Sequence, residues 1–317
     1  LSIRTQDAPR LNPAKFQDPE VTLKGERRAR VALRELSTLW FNTGTLCNIT
    51  CANCYIESSP RNDALVYISA AEVRGYLDEA QGFPVREVGF TGGEPFMNPE
   101  LVPMLDDVLS RGLRALVLTN AMQPMRRYAL PLKALLAKHG AERLIIRVSL
   151  DHFDGAVHDL ERGPGSYART LAGLEWLARE GFTLHVAGRV GFGHDGEAAL
   201  RAGYADVFAR HGIPVDAHDR VALMLFPEMD AERDVPEITE GCWDILKQSP
   251  DSLMCASARM VVKRKGAERP AVLACTLLAY DERFELGATL AEAARPVPLN
   301  HPHCATFCVL GGASCSR

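Results

Sequence analysis

Glu87-Val88-Gly89-Phe90-Thr91, then Gly92-Gly93-Glu94-Pro95, then Asn98-Pro99 ahead of Leu101-Val102-Pro103-Met104-Leu105, is the stretch from which the fold is read. The first five residues predict a strand and the two glycines a turn. Asn98 and Pro99 predict an N-cap and first-turn proline for a helix over residues 101–109, which Gly112 closes. The unit recurs on both sides. Further strands are expected over residues 36–41, 115–119, 144–150, 183–190 and 221–226. Helical patterns lie between them. One opens at the capping box Ser69-Ala70-Ala71-Glu72, and three others cover 131–138, 167–179 and 197–210, ending at Gly140, Gly181 and Gly212. Six strands alternating with five helices predict βα units around a parallel sheet, an α/β fold. Periodicity alone leaves a partial barrel and an open doubly wound sheet both possible.

The 317 residues, 47% hydrophobic and 24% charged, are ordinary for a globular protein of one or two domains. A net charge of −4 without basic runs gives no electrostatic support to a nucleic-acid or anionic-membrane partner. Apolar runs stay well short of the ~20 residues of a membrane span. The first residues carry no signal-peptide core. A cytoplasmic protein with no membrane partner is expected.

Nine cysteines stand out. Their number is odd and no export signal accompanies them, so metal ligation is the better reading than disulfides. Cys47, Cys51 and Cys54 cluster directly after the first strand, at the sheet edge where βα folds collect their active sites. Three thiolates suit zinc or an iron–sulfur cluster. Structural zinc takes four ligands, whereas three cysteines on a cubane leave one iron open to a ligand. Gly92-Gly93 ends the second strand at the same edge, where missing side chains let a ligand approach the backbone.

After residue 226 the texture changes. Residues 227–236 read as an acidic linker. Residues 254–263 and 271–278 read as a hairpin about Lys265-Gly266, with Cys255 and Cys275 near its outer ends. A short helix over 289–294 and a loop rich in Pro, His and Cys follow, carrying Cys304, Cys308 and Cys315. So little apolar content must be ordered by something else, and a metal would do so. Cys242 is expected to be a buried thiol. Three segments result: an N-terminal arm packing on the barrel surface (1–34), a βα core (35–236) and a C-terminal module (237–317).

Cys-x3-Cys-x2-Cys followed one strand later by Gly-Gly-Glu-Pro resembles the radical S-adenosylmethionine (radical SAM) superfamily. The resemblance covers roughly residues 36–226 and implies a partial (β/α)6 TIM-type barrel. It implies that Cys47, Cys51 and Cys54 hold a [4Fe–4S] cluster whose open iron is chelated by the methionine moiety of SAM. The backbone of Thr91, Gly92, Gly93 and Glu94 would hold that moiety's amino group. Ser149 and Arg162, in a segment shared by peptide-modifying and dehydrogenase branches, would contact the carboxylate and ribose. Arg189 is either a cofactor or substrate contact or part of a structural ion pair. Asp151 at the rim is the residue expected to touch substrate, and residues 223–226 an apolar wall for adenine. His152, His158, His185 and His194 read as structural groups. One departure is Asn53, where the family often has an aromatic residue or His; Asn53 is expected to donate to a cluster sulfide.

The later cysteines resemble the twitch module, a shortened form of SPASM, in a small β-hairpin/α iron–sulfur arrangement. That resemblance implies one auxiliary [4Fe–4S] cluster on four of Cys255, Cys275, Cys304, Cys308 and Cys315. The function implied is that of an iron–sulfur oxidoreductase acting on a small-molecule or peptide substrate. It would cleave SAM reductively to a 5′-deoxyadenosyl radical, fed by an external one-electron donor such as flavodoxin or ferredoxin, with the auxiliary cluster as electron acceptor. A maturase crosslinking a ribosomally made peptide is the alternative, although the arm is short for a leader-binding winged helix. A non-catalytic iron–sulfur scaffold or sensor is the third reading.

Overall fold

The computed structural model describes residues 9–191, 196–228 and 230–312. Strand β1 (Arg30–Val31) precedes six βα strands: β2 (Thr38–Asn42), β3 (Glu87–Thr91), β4 (Arg114–Thr119), β5 (Leu144–Ser149), β6 (Thr183–Arg189) and β7 (Leu223–Phe226). The helices between them are α1 (Ala70–Glu79), α2 (Leu101–Ser110), α3 (Gln123–Arg126), α4 (Ala129–His139), α5 (Gly155–Arg162), α6 (Ser166–Arg179) and α7 (Glu197–His211). Strands β2 to β7 pair parallel in chain order. A doubly wound sheet reverses its order at a switch point; unreversed order is that of a barrel wall. β2 and β7 do not pair, so the barrel stays open.

Local chemistry explains most element ends. Ser69 and Glu72 form the expected reciprocal capping box. Helix α2 starts two residues later than Asn98 predicted, with Glu100 as its cap residue. Asn98 Oδ1 still accepts from Glu100 N at 2.9 Å, while its amide donates to Ile68 O at 2.9 Å and Thr43 O at 3.3 Å, tying the turn to the end of β2. Helix α5, not expected from periodicity, is capped by Asp154, which accepts from Ala156 N and Val157 N.

The C-terminal segment joins the barrel sheet. After α8 (Cys242–Leu246), β8 (Ala258–Val262) pairs parallel with β2, and β9 (Ala271–Leu273) and β10 (Glu285–Gly287) continue antiparallel. The hairpin strands are shorter than expected, because a 3₁₀ turn occupies 254–256. Residues 289–294 form a turn rather than a helix: Thr289 and Glu292 cap each other, but Pro296 follows too soon for a second turn. The expected final loop contains a π-helix, Cys304–Leu310. Cys242 is half-buried, not buried, at the start of α8. No helix among the described residues is long and apolar enough to cross a membrane.

The described part of the arm packs on residues 232–240 and the C-terminal strand rather than on the barrel helices. β1 pairs with β11 (Val297–Pro298). Arg28, fully buried, bonds Glu237 at 2.5 Å and donates to Asp18 O and Val21 O.

At the core, Trp40 in β2 lies directly opposite Gly89 in β3. A Cβ on Gly89 would fall inside the indole of Trp40, which is fully buried. Gly89→Val is therefore expected to destabilise the fold by about 1–3 kcal/mol or more, read as a lowered melting temperature. An unchanged melting temperature would mean the indole can move aside.

Candidate active site

The cysteine loop and the glycine turn form one backbone unit. Thr43 N donates to Thr91 O at 2.8 Å, Gly93 N to Gly44 O at 2.8 Å, and Glu94 N to Leu46 O at 3.0 Å. Gly92 has φ +137°, a conformation side chains disfavour. A Cβ on Gly92 would strike Gly44 O, and one on Gly93 would strike Leu46 O. The glycines thus permit close packing under the loop; ligand approach is not their only reason.

Above this unit opens a cleft of about 1120 Å³ at the C-terminal strand edge. Cys47, Cys51 and Cys54 line one side, with Thr91, Gly92 and Gly93 below them. Ser149, Asp151, Arg162 and Arg189 also line the cleft, with Arg162 close enough to Cys51 to favour its thiolate. Of residues 223–226, expected as an apolar wall, only Phe226 is among the lining residues, and Glu94 does not line the cleft either. Its carboxylate is buried and accepts from Thr119 Oγ1 (2.8 Å), Asn120 N (2.9 Å) and Phe96 N (3.1 Å), pinning β3 to β4. Burial pushes it up to about 7, the three donors opposing this.

The cleft's charges are paired. Arg162 donates to both Asp151 oxygens, at 2.6 and 3.0 Å, a bidentate geometry. Burial disfavours the Asp151 carboxylate, but Arg162 outweighs it and holds the pKa below the ordinary carboxylate value. Arg189 donates to Glu161 at 3.0 Å, the ion pair of one sequence reading, and also lines the cleft. His152 and His158 accept from backbone amides of Asp154 and Asp151. His185 sits 3.3 Å from Arg147. Neither these three histidines nor their ring atoms line the cleft, and His194 lies outside the described residues. Asn53 lines the cleft with the cysteines, and its amide donates to Glu161 at 2.9 Å.

The thiols suit a metal cluster. Burial pushes Cys47 up to about 12 and Cys51 to about 11, the latter opposed by Arg162. Such thiols stay protonated unless a metal replaces the proton. Ser58 N also points at Cys54 Sγ, 3.3 Å away. Three sulfurs on one cleft beside an exposed backbone shelf fit a cluster with an open iron and a chelating ligand.

A second, small apolar pocket is lined by Cys255, Cys275, Cys304 and Cys308, with His303 beside them. Burial raises Cys255 to about 11 and Cys304 further. Buried Arg259, donating to Cys255 O at 2.6 Å, lies near enough for Cys255 and Cys275 to favour its charge. Among the described residues no three His, Cys, Asp or Glu side chains converge for a single metal ion. Cys315 lies outside the described residues.

Sequence reasoning missed Glu161, Asn120, Leu277 and Phe307. The Asp154 cap followed by Gly163 signalled α5 and hence Glu161. Nothing local signals Leu277 or Phe307, which reach the cleft through tertiary packing.

Because the loop and glycines interlock, Gly93→Ala is expected to lose cluster iron as well as SAM binding. Iron analysis after anaerobic reconstitution checks this; full iron content with impaired SAM binding would mean the glycine serves only the ligand.

The radical SAM superfamily model matches residues 41–202, half of the chain. The subtilosin biosynthesis protein AlbA of Bacillus subtilis is 35% identical over 142 residues, 44% of this chain and 30% of that protein. The mycofactocin maturase MftC of Mycobacterium ulcerans is 28% identical over 136 residues, 43% of this chain and 35% of the relative. These matches thus span about a third of each relative. Among solved structures, Streptococcus suis SuiB bound to S-adenosylmethionine superposes with a TM-score of 0.58 at 13% identity, covering 80% of this chain and 64% of SuiB; it shares the fold. With the family match lying over the barrel strands, the cysteine loop and the glycine shelf, the chain belongs to the radical SAM superfamily.

Proposed function

We propose that the chain is a radical SAM oxidoreductase with a twitch-like auxiliary cluster, organised as an arm (1–34), a barrel (35–236) and an iron–sulfur module (237–317). Cys47, Cys51 and Cys54 hold the first cluster, and the Thr91–Gly93 backbone, Ser149 and Arg162 receive SAM. When bound, this pair supplies one-electron chemistry: an electron from a donor such as flavodoxin or ferredoxin breaks SAM to methionine and a 5′-deoxyadenosyl radical, which takes a hydrogen atom from substrate. The substrate must then lose one more electron and a proton, and a cluster on Cys255, Cys275, Cys304 and Cys308 is the acceptor.

One observation carries this reading. The two cysteine-lined pockets share Leu277 as a common wall, and the π-helix serves both. Phe307 faces the first, stacked on Phe226 at 5.4 Å, while Cys304 and Cys308, one turn apart, face the second. The shared wall makes the second pocket a neighbour of the cleft, as an electron acceptor for substrate held there would have to be. Asp151 and Arg162 hold each other's charge in place at the cleft rim, and Phe226, Leu277 and Phe307 exclude water from its far end.

A peptide is the favoured substrate, because relatives of this chain carry the names of a bacteriocin biosynthesis protein and a maturase. A metabolite remains the second form of the same reading.

Anaerobically reconstituted protein is expected to hold about eight irons, as two cubanes. Cys255→Ala/Cys275→Ala should hold about four and still make 5′-deoxyadenosine with dithionite. Any one of Cys47→Ala, Cys51→Ala and Cys54→Ala should abolish that product. Zinc in place of the second set of irons would overturn the acceptor role; 5′-deoxyadenosine from the triple variant would overturn the whole proposal.

A further inference from the structure

We propose that Glu161 is a positioning residue that fixes the cysteine loop from outside it. Between Cys51 and Cys54 the chain makes three hydrogen bonds to this one residue. Ala52 N donates to Glu161 O at 2.8 Å, Asn53 N to Oε1 at 2.8 Å, and Asn53 Nδ2 to Oε2 at 2.9 Å. The side chain is 5% exposed, and Arg189 balances its charge at 3.0 Å. Holding α5 against β6 needs only that ion pair. The three further bonds all go to the loop, and both carboxylate oxygens are used on Asn53. Glu161 thereby links the two residues before Cys54 to Arg189, which also lines the cleft. A buried carboxylate committed in this way resists displacement, since each orphaned partner would lose its bond in a water-poor site.

The inference rests on the reading that Cys47, Cys51 and Cys54 hold the cluster. Residues that orient metal ligands through hydrogen bonds typically change metal affinity about 10- to 100-fold when removed. The test uses the Cys255→Ala/Cys275→Ala protein, so that one cluster is observed. The readouts are the rate of iron loss to a chelator and the low-temperature EPR spectrum of the reduced protein with and without SAM. Glu161→Ala is expected to lose iron about tenfold faster or more, with an altered EPR line shape and an unchanged circular-dichroism spectrum. Glu161→Asp keeps the charge but withdraws it by one methylene, so it should also lose iron faster, and it serves where the alanine variant fails to fold. Glu161→Gln keeps an acceptor for Asn53 N but sets an amide donor against Asn53 Nδ2 and removes the charge opposite Arg189, so its iron loss should fall between those of the background protein and Glu161→Ala. Folded Glu161→Ala or Glu161→Asp with background iron loss and background EPR would overturn the proposal. Failure of the background protein itself to hold a cluster would overturn the cluster reading, and this proposal with it.

Discussion

The close backbone contact between residues 43–46 and 91–94 is the constraint on which the site depends. Two segments about fifty residues apart in sequence meet through three main-chain hydrogen bonds, at a separation no Cβ on Gly92 or Gly93 would allow. That contact is possible because β2 and β3 are adjacent and parallel in register, Asn42 opposite Thr91. It brings the cysteine loop and the glycine shelf to one edge. Asn42 Oδ1, accepting from Gly44 N at 2.9 Å, shapes the first turn of the loop. The buried Glu94 carboxylate fastens the same unit to β4. The bonds of the Glu94 carboxylate are buried, and each would cost about 1–3 kcal/mol if one partner were removed.

Charge compensation is the second theme. Asp151 with Arg162, and Glu161 with Arg189, set two buried carboxylates against two half-buried arginines that line the cleft. Breaking either pair would leave an uncompensated charge in a poorly solvated place. Arg162 has a further part: its positive charge lies close enough to Cys51 to favour the thiolate against the pull of burial. At the second pocket Arg259 stands in the same relation to Cys255, its own charge disfavoured by burial and favoured by Cys255 and Cys275. Each set of cysteines thus has an arginine near it, half-buried Arg162 and buried Arg259, as expected where thiolates or an anionic cluster must be held away from water.

The strand–helix alternation was legible because each βα unit carries its own periodicity and end signals, as at Ser69, Gly140 and Gly212. The cysteine loop and glycine turn were legible as motifs, and their shared edge followed from the parallel sheet. What escaped depends on tertiary contact. Asn53 reads as a cluster contact, and its bond to Glu161 follows only from where α5 sits. Gly92 and Gly93 read as a ligand shelf, while the reason they tolerate no side chain is the loop packed over them. The π-helix has no periodicity signal, since its register is set by Phe307 stacking on Phe226 and by the second pocket. The turn at 289–294 misled because its capping chemistry is that of a helix, and only Pro296 stops it.

The central claim is that the interlocked loop and shelf bring SAM onto an open iron. Electron–nuclear double resonance on the reduced protein, with SAM labelled by isotope at the methionine amino and carboxylate groups, tests it most directly. The account predicts hyperfine coupling from both labelled groups to the cluster, lost in Gly93→Ala. SAM bound at saturation without coupling from either group would contradict it.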